Sequence, residues 1–521
     1  MDMGPSYHSG HLILEYMKRH SDTVGQIDAA TGEEETYGSI LSRSIRLARS
    51  LRAFGLKSGD VLAVSGRNHL DVHIPFYAAL FNGLPILGVD PYFKYDEILT
   101  LFKQTKPKIV FCQNECSDIH KKVAIDLGLE IKIVTFDEGE CTFSKFIEQY
   151  DDRQPDQDFK VLEFDIEKIY AFLICTSGTT GYVKIAAFKH RPFMMKVLGM
   201  LKRHTEAKLS GTRILNLSPV QWITSYFITV VSPLTGDTLI QTSIPDDFDH
   251  VIDIINKYKP ATTIISPTLM SFLVSRKEEV DLTSFKSIGI AGSQIYSNVL
   301  IKFKELLNKE TRLANAYGQT EMIGPIFAPS PLTPIGSCGS PIPGHSFKLV
   351  DPDTGKEINE PNVTGELWTK GPRFSEYYND PEETALVFTE DGYFKTGDLF
   401  YRDENNNFYF VERIRTLIKY RNSHVIPSEI EEVISKLPGV REVCVVGVPH
   451  EADGERPAAC VVRDTNSAVT AQEIRDLVAS KLSKNKELRG GVVFVDSLPR
   501  TSTGKVVRKK LLKQIENIKI E

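Results

Sequence analysis

The sequence predicts an α/β protein: a large N-terminal body of two α/β subdomains plus a β-rich subdomain, followed by a small α/β C-terminal domain. Three observations carry this expectation. Short apolar runs alternate with longer amphipathic stretches over roughly the first 335 residues. Turn-forming residues then crowd between short strand-like segments. Finally, 521 residues exceed what one hydrophobic core organises, since domains usually hold ~100–200 residues.

Taken in chain order, Ile40, Leu41, Ile45, Ala48 and Leu51 repeat at helical spacing, and Gly55 follows as a C-cap. Apolar runs then begin at Val61, Lys108, Ile131, Tyr170, Arg213, Asp237, Thr262 and Lys286. Runs of this kind, separated by helical patterns, are the mark of parallel strands buried on both faces. Beyond about residue 335 the turns DPDTG at 351–355, EDGY at 390–393 and DENNN at 403–407 bracket strands such as GELWTK from Gly365 and FYFV from Phe408. Past Val411 a unit of roughly a hundred residues remains. There is no internal repeat and no low-complexity tract.

Composition excludes several classes. Hydrophobic residues make up 41% and charged residues 25%, ordinary values for a globular protein. A net charge of −6 offers neither nucleic acid nor an anionic membrane a complementary surface. Seven scattered cysteines, with only Cys112 and Cys116 close together, read as reduced thiols rather than zinc ligands or a disulfide frame. No run approaches the ~18 apolar residues of a membrane span, and the first twenty residues lack a signal-peptide core. These features predict a cytoplasmic protein. The C-terminal NIKIE is not a Ser-Lys-Leu type of peroxisomal address. Monomer and dimer are both open.

The strongest local signal is Cys175-Thr-Ser-Gly-Thr-Thr-Gly-Tyr-Val-Lys184, directly after an apolar strand. Gly178 and Gly181 let the backbone approach a ligand closely, and Thr176, Ser177, Thr179 and Thr180 offer hydroxyl donors. Successive backbone N–H groups in such a turn form an anion nest, and Lys184 adds a point charge. This is chemistry for a polyphosphate, although the spacing is not that of a Walker A loop. The competing structural reading is a Ser/Thr/Gly surface loop.

The loop resembles the signature of the adenylate-forming superfamily, which includes acyl-CoA synthetases, 4-coumarate-CoA ligases and beetle luciferases. Further motifs follow in the family's order: Ala316-Tyr-Gly-Gln-Thr-Glu321, Tyr393-Phe-Lys-Thr-Gly-Asp398, Glu412-Arg-Ile-Arg-Thr-Leu-Ile-Lys419 and Pro499-Arg-Thr-Ser-Thr-Gly-Lys505. Leu56-Lys-Ser-Gly-Asp60 and Gly447-Val-Pro-His-Glu-Ala-Asp-Gly-Glu455 fit as well, so the resemblance spans nearly the whole chain.

The resemblance implies ATP-dependent activation of an apolar or aromatic carboxylic acid, with fatty acids included, and keeps a peroxisomal location open beside the cytoplasmic one. An acyl-adenylate forms with ATP and Mg²⁺, then a thioester with coenzyme A. It implies an AMP-binding adenylation domain at residues 1–411, a hinge at 412–415 pivoting on Arg415, and a mobile C-terminal domain at 416–521. By the same resemblance Thr320 contacts phosphate and Glu321 holds Mg²⁺. Asp398 takes the ribose hydroxyls, while Arg413 binds ribose or phosphate. Ser293, Gln294, Tyr317, Gly318 and Gln319 complete the nucleotide site. Lys505 serves adenylation and Lys419 thioester formation, each presented by a different face of the C-terminal domain. Gly292, Gln221, Trp222, Thr224 and Tyr226 line the acid pocket, and Asn422 lies beside the coenzyme A tunnel. Placing a carboxylate against an α-phosphate juxtaposes two anions, which is why cations are required there.

The chain departs from the family pattern at three places. Ile185 follows the loop lysine where the family has Gly, with Val183 replacing a usual Pro. Gln221 and Trp222 stand where many relatives carry histidines, with Ile223 next. Asn422 replaces a Gly. The acid-pocket segment 218–226 has no Asp or Glu, so a buried substrate ammonium would lack a counter-charge, which argues against an α-amino acid. Trp222 reads either as core or as a pocket wall. Two other functions stay open: an adenylating enzyme with a different acceptor, such as a luciferase-like monooxygenase, and a nucleotide- or acyl-binding pseudoenzyme.

Overall fold

The computed structural model describes residues 6–177, 183–245, 247–292, 297–315, 317–330, 333–421, 423–465, 467–500 and 505–515. Its architecture is the mixed α/β one expected, a large N-terminal body with a smaller C-terminal unit.

Two seven-stranded sheets build the body. One runs Glu376–Tyr377, Val183–Lys189, Tyr170–Ser177, Ile86–Val89, Leu62–Ser65, Ile109–Cys112, Lys132–Thr135. The other runs Arg312–Asn315, Ser287–Ile290, Thr262–Ile265, Arg213–Asn216, Thr238–Gln241, Val24–Asp28, Glu34–Thr36. Both are parallel except at one end, where antiparallel strands are added. The strands Leu62–Ser65, Ile86–Val89 and Ile109–Cys112 are buried at every residue, as apolar runs covered by helices on both faces must be. Parallel neighbours need crossovers, and helices such as Ile74–Asn82 and Tyr95–Thr105 supply them.

The helix expected around Ile40 is Tyr37–Phe54. Thr36 caps its start by accepting from the Ser39 N–H, and Gly55 at φ +105° closes its end. All eight apolar runs named from the sequence contain strands. Val24–Asp28, Ile86–Val89 and Arg312–Asn315 were not visible as such. The first buries Gln26 and Asp28, so polar side chains interrupt its pattern. The second contains Gly88, a weak strand former. A Cβ there would come within 2.6–2.7 Å of Gln221 Cα, Tyr226 Oη and Val220 O, so glycine lets the 218–226 segment lie against the strand.

The β-rich part is a five-stranded antiparallel sheet, ordered Glu357–Ile358, Ser346–Val350, Gly365–Lys370, Phe394–Arg402, Phe408–Arg413. Its last strand carries the chain past residue 411 into the expected hinge, and a 3-10 turn, Ile414–Thr416, follows.

The C-terminal unit centres on the hairpin Val440–His450 and Gly454–Arg463. Alternate residues feed two cores, as the strand's period of two requires. Val443, Val445, Ala459 and Val461 pack under the helices Pro427–Ser435 and Ala471–Lys481. Cys444, Val446, Cys460 and Val462 pack under Arg508–Ile515. All seven cysteines are free. Burial pushes the Cys460 thiol up to about 12. No helix among the described residues is long and apolar enough to cross a membrane.

Candidate active site

A cleft of about 2230 Å³ lies between the body and the C-terminal unit, and Gly292, Tyr317, Gly318, Asp398, Arg413, Arg415 and Lys505 all line it. Residues far apart in sequence therefore meet as the motifs suggested.

Asp398 sits at the centre. Gly397 adopts φ +68°, a conformation that glycine admits at little cost, and breaks the regular course of its strand. The Gly397 N–H donates to Glu366 Oε1 at 3.0 Å, which fixes the turn. Asp398 is 1% exposed. Its Oδ2 accepts from Tyr317 Oη at 2.6 Å and from Gln319 Nε2 at 2.6 Å. Gln319 Nε2 also donates to Thr396 O at 2.8 Å, so both amide hydrogens are placed. Arg413, directly opposite Asp398 in the sheet register, brings Nε to 3.1 Å from Oδ1. Burial holds the Asp398 carboxyl above its ordinary value, against the pull of Arg413, Tyr317 and Gln319. Beyond the ion pair with Arg413, the buried Oδ1 accepts no hydrogen bond among the described residues. An acceptor so placed at a cleft suits a ligand hydroxyl, which fits the ribose of ATP.

Glu321 lies in the 3-10 turn Thr320–Met322, closed by Ile323 in the left-handed region. It is buried, and its Oε1 accepts from Tyr377 Oη at 2.9 Å. That leaves Oε2 for a cation, and a hard carboxylate oxygen fits Mg²⁺. Thr320, half-buried, precedes it. Lys505 shares this neighbourhood. Burial and Arg413 lower its pKa, while Asp398 and Glu321 oppose the shift. Lys419 is exposed on the strand Ile418–Tyr420, and its backbone N–H donates to Glu455 Oε2 at 2.8 Å. Lys505 thus lines the cleft while Lys419 lies outside its lining. Arg415 is exposed at the cleft.

The loop after Tyr170–Ser177 falls partly outside the described residues: Gly178, Thr179, Thr180 and Gly181 do, as do Ser293, Gln294 and Asn422, and the Ser177 side chain. At the loop's margins, Thr176 Oγ1 donates to Lys184 O at 3.5 Å. Lys184 Nζ pairs with Glu383 and sits 5.1 Å from the Tyr377 ring centroid. Tyr377 thereby links the loop lysine to Glu321. Ile185 points away, 1% exposed in the apolar layer beside Leu173 and Ala187, so the Gly-to-Ile departure serves the core. Neither Tyr377 nor Glu383 was singled out from the sequence, because their link to the loop is a tertiary strand pairing, Tyr377 against Ala186.

In the acid segment, Gln221 is buried, and its Oε1 meets no donor among the described residues. Trp222 precedes the helix Ile223–Thr235 and is half-buried, with an indole N–H that meets no acceptor among the described residues. Thr224 is half-buried on the helix's first turn. Tyr226 lies in the main core, edge-on to Phe172 at 4.9 Å and Phe76 at 5.2 Å. Gly292, at φ +108°, leaves open space where a side chain would be.

Comparison with known proteins adds an independent line. The chain matches the model of the AMP-binding enzyme family over residues 15–378, and that of the AMP-binding enzyme C-terminal domain over residues 429–505. A luciferin 4-monooxygenase of Photuris pensylvanica is 31% identical over 98% of this chain and 96% of its own length. A probable 4-coumarate–CoA ligase 2 of Dictyostelium discoideum is 27% identical over 96% of this chain and 94% of its own. The crystal structure of ATP-bound MatB from Rhodopseudomonas palustris superposes with a TM-score of 0.86 at 24% identity, covering 98% of this chain and 99% of that one.

Proposed function

Because the chain belongs to the AMP-binding enzyme family, we propose that it activates a carboxylic acid with ATP as an acyl-adenylate and transfers the acyl group to coenzyme A. The observation that carries this reading is Lys505 entering the cleft beside Asp398, Glu321 and Arg413. A carboxylate oxygen attacks the α-phosphorus, the P–O bond to pyrophosphate breaks, and acyl-AMP forms. Lys505 offers its ammonium to the two anions that must approach, and Arg413 supplies a second positive charge. Asp398 accepts from the ribose, held in place by Tyr317 and Gln319. Mg²⁺, held by Glu321, would neutralise phosphate charge. The thiol sulfur of coenzyme A then attacks the acyl carbon and AMP leaves, with the thiol proton passing to solvent.

This reading takes residues 1–411 as the adenylation domain, 412–415 as the hinge pivoting on Arg415, and 416–521 as a C-terminal domain that turns Lys419 inward for the second step. Rotation about a short linker is a normal switching device. The acid is apolar or aromatic, with Gln221, Trp222, Thr224 and Gly292 at its pocket.

Coenzyme A as acceptor draws support from a second hollow, about 410 Å³, on the C-terminal unit, where Arg456, Arg475, Arg489 and His450 gather. Asp453 pairs with Arg456 and His450 and Glu487 with Arg489, and the arginines still outnumber these carboxylates, a balance that suits phosphate groups. A second reading keeps adenylation and ends on dioxygen, and the likeness to luciferin 4-monooxygenases favours it. Pyrophosphate–ATP exchange over a panel of hexanoate, laurate, benzoate and cinnamate tests the common first step. Exchange with none of them would count against both readings. Adding coenzyme A, then oxygen alone, to an accepted acid separates the two: thioester release supports the first, and oxygen uptake the second.

A further inference from the structure

Arg500 belongs to the C-terminal unit but reaches across the cleft. Its Nη1 donates to Thr268 Oγ1 at 3.3 Å, and Thr268 lies in the first turn of the body's helix Pro267–Ser275. Its Nη2 pairs with Glu442, in the strand Val440–His450 of its own unit. A guanidinium carries five donors in a rigid fork, so it can hold both partners at once. The same residue sits at the base of the segment that delivers Lys505. Arg500 forms an antiparallel bridge with Val506, and the Val507 N–H donates to Pro499 O at 2.7 Å. The ends of the 499–507 segment are thus tied together, with Lys505 next to the tie. What fixes Arg500 against the body also fixes the root of Lys505 against the cleft.

We propose that Arg500 is a positioning residue for Lys505: by engaging Thr268 across the cleft, it registers the C-terminal unit in the orientation that serves adenylation. Among the described residues the hydrogen bond to the body goes to a neutral acceptor, Thr268 Oγ1, a kind of contact that can align the unit and still release it. It acts through Lys505 and has no role once that lysine leaves the cleft. Geometry of this kind is consequential because a misplacement of about 1 Å can cost about a hundredfold in rate.

The inference rests on the adenylation reading above, so its test has one arm that uses the reaction and one that does not. In the first arm, Arg500→Ala is expected to slow pyrophosphate–ATP exchange at least about tenfold, with hexanoate or whichever panel acid gives the fastest exchange. Thioester formation from the corresponding synthetic acyl-AMP should stay within about twofold of the native rate. Thr268→Val should slow exchange in the same direction, and the double variant should be no slower than Arg500→Ala alone, because both remove one contact. Arg500→Lys should restore part of the loss. Equal losses in the two half-reactions, or multiplicative effects of Arg500→Ala and Thr268→Val, would overturn the proposal. In the second arm, hydrogen–deuterium exchange of the unliganded protein is compared with that of Arg500→Ala. Faster exchange over 505–512 and in the helix Pro267–Ser275, with Val440–His450 still protected, is expected. Unchanged exchange at both places, or loss of protection throughout the C-terminal unit, would overturn it. If the native protein exchanges pyrophosphate with no acid, the adenylation reading fails while this second arm still decides the contact.

Discussion

Tyr317 donates its hydroxyl to Asp398 Oδ2 across 2.6 Å, so a phenol from the body sets the carboxylate's orientation while Oδ1 accepts no hydrogen bond among the described residues. Arg413 balances the charge at 3.1 Å. One oxygen is hydrogen-bonded by Tyr317 and Gln319, while the other meets the Arg413 guanidinium as an ion pair and keeps acceptor capacity for a ligand hydroxyl. Burial that holds Asp398 above its ordinary pKa would be costly with no partners, and Tyr317, Gln319 and Arg413 are what make a buried carboxylate tolerable.

Asp398→Asn should therefore raise the KM for ATP in pyrophosphate exchange by about tenfold to a hundredfold, the equivalent of one charge-assisted hydrogen bond pair at about 1.5–3 kcal/mol. Tyr317→Phe should raise it less, since Gln319 still holds Oδ2. Melting temperature should fall in Asp398→Asn, because Arg413 loses its carboxylate even though the amide oxygen can still accept from Tyr317. An unchanged ATP KM would remove Asp398 from the nucleotide site.

Lys505→Ala should nearly abolish adenylation yet leave transfer from synthetic acyl-AMP to coenzyme A largely intact, and Lys419→Ala should do the reverse. The placement of the two residues, one lining the cleft and one exposed outside its lining, is the ground. The pH profile gives a second readout. Burial and Arg413 lower the Lys505 pKa, so the free enzyme loses this ammonium at a lower pH than an ordinary lysine would. The alkaline limb of kcat/KM for ATP should fall correspondingly early. The limb of kcat should lie higher, because bound phosphates favour the charged form. Lys505→Arg should shift the early limb upward if it retains activity. A profile insensitive to Lys505→Arg would assign that limb to another group.

How much of this was legible beforehand differs residue by residue. The strand Gly365–Lys370 coincides with GELWTK because turns bracket an alternating segment, and local chemistry suffices there. Asp398 and Lys505 were visible because short motifs carry their own turns. The partner of Lys184 was not, because Glu383 lies 199 residues away and meets it only through sheet pairing. Ile185 looked like an intrusion beside a phosphate loop, but strand alternation turns it to the opposite face, into the core. Tyr226 followed from motif position alone, whereas its place among Phe76 and Phe172 depends on how the helix Ile223–Thr235 packs against the body.

Trp222 separates a packing role from a pocket role. A fully packed tryptophan emptied to alanine costs ~3–5 kcal/mol. Trp222 is instead half-buried, its indole N–H meeting no acceptor among the described residues, at the entry to a helix whose later residues are buried. Trp222→Ala should shift acid preference toward bulkier or longer chains, with a loss of stability well under that range. Trp222→Phe should keep the size preference and lose only what the N–H contributes. A large fall in melting temperature with the relative acid preference unchanged would mean that the side chain is simply core.

The last prediction concerns Lys196, a buried lysine of the helix His190–Glu206 with no carboxylate among its described partners. Its Nζ lies 3.0 Å from His345 Nε2 and 3.3 Å from Pro325 O, joining this helix to the β-rich part. Burial first, and Arg203 second, lower its pKa to about 7. His345 is itself lowered to about 4 by burial and by Lys196, so near neutrality it is the uncharged acceptor of this pair. In the unfolded chain Lys196 titrates near the ordinary ~10.4. Between these two values the unfolded state binds the extra proton, so stability contributed by this site rises with pH from about 7 toward about 10. Below about 7 both states are protonated and the site contributes no further pH dependence. Lys196→Met keeps the length of the side chain and deletes the titration. Denaturant unfolding of both proteins at pH 7 and pH 9 should show the native chain gaining stability relative to Lys196→Met as pH rises. Parallel changes in the two proteins would mean that Lys196 keeps an ordinary pKa, and that its contacts with His345 and Pro325 carry a fully protonated amine throughout.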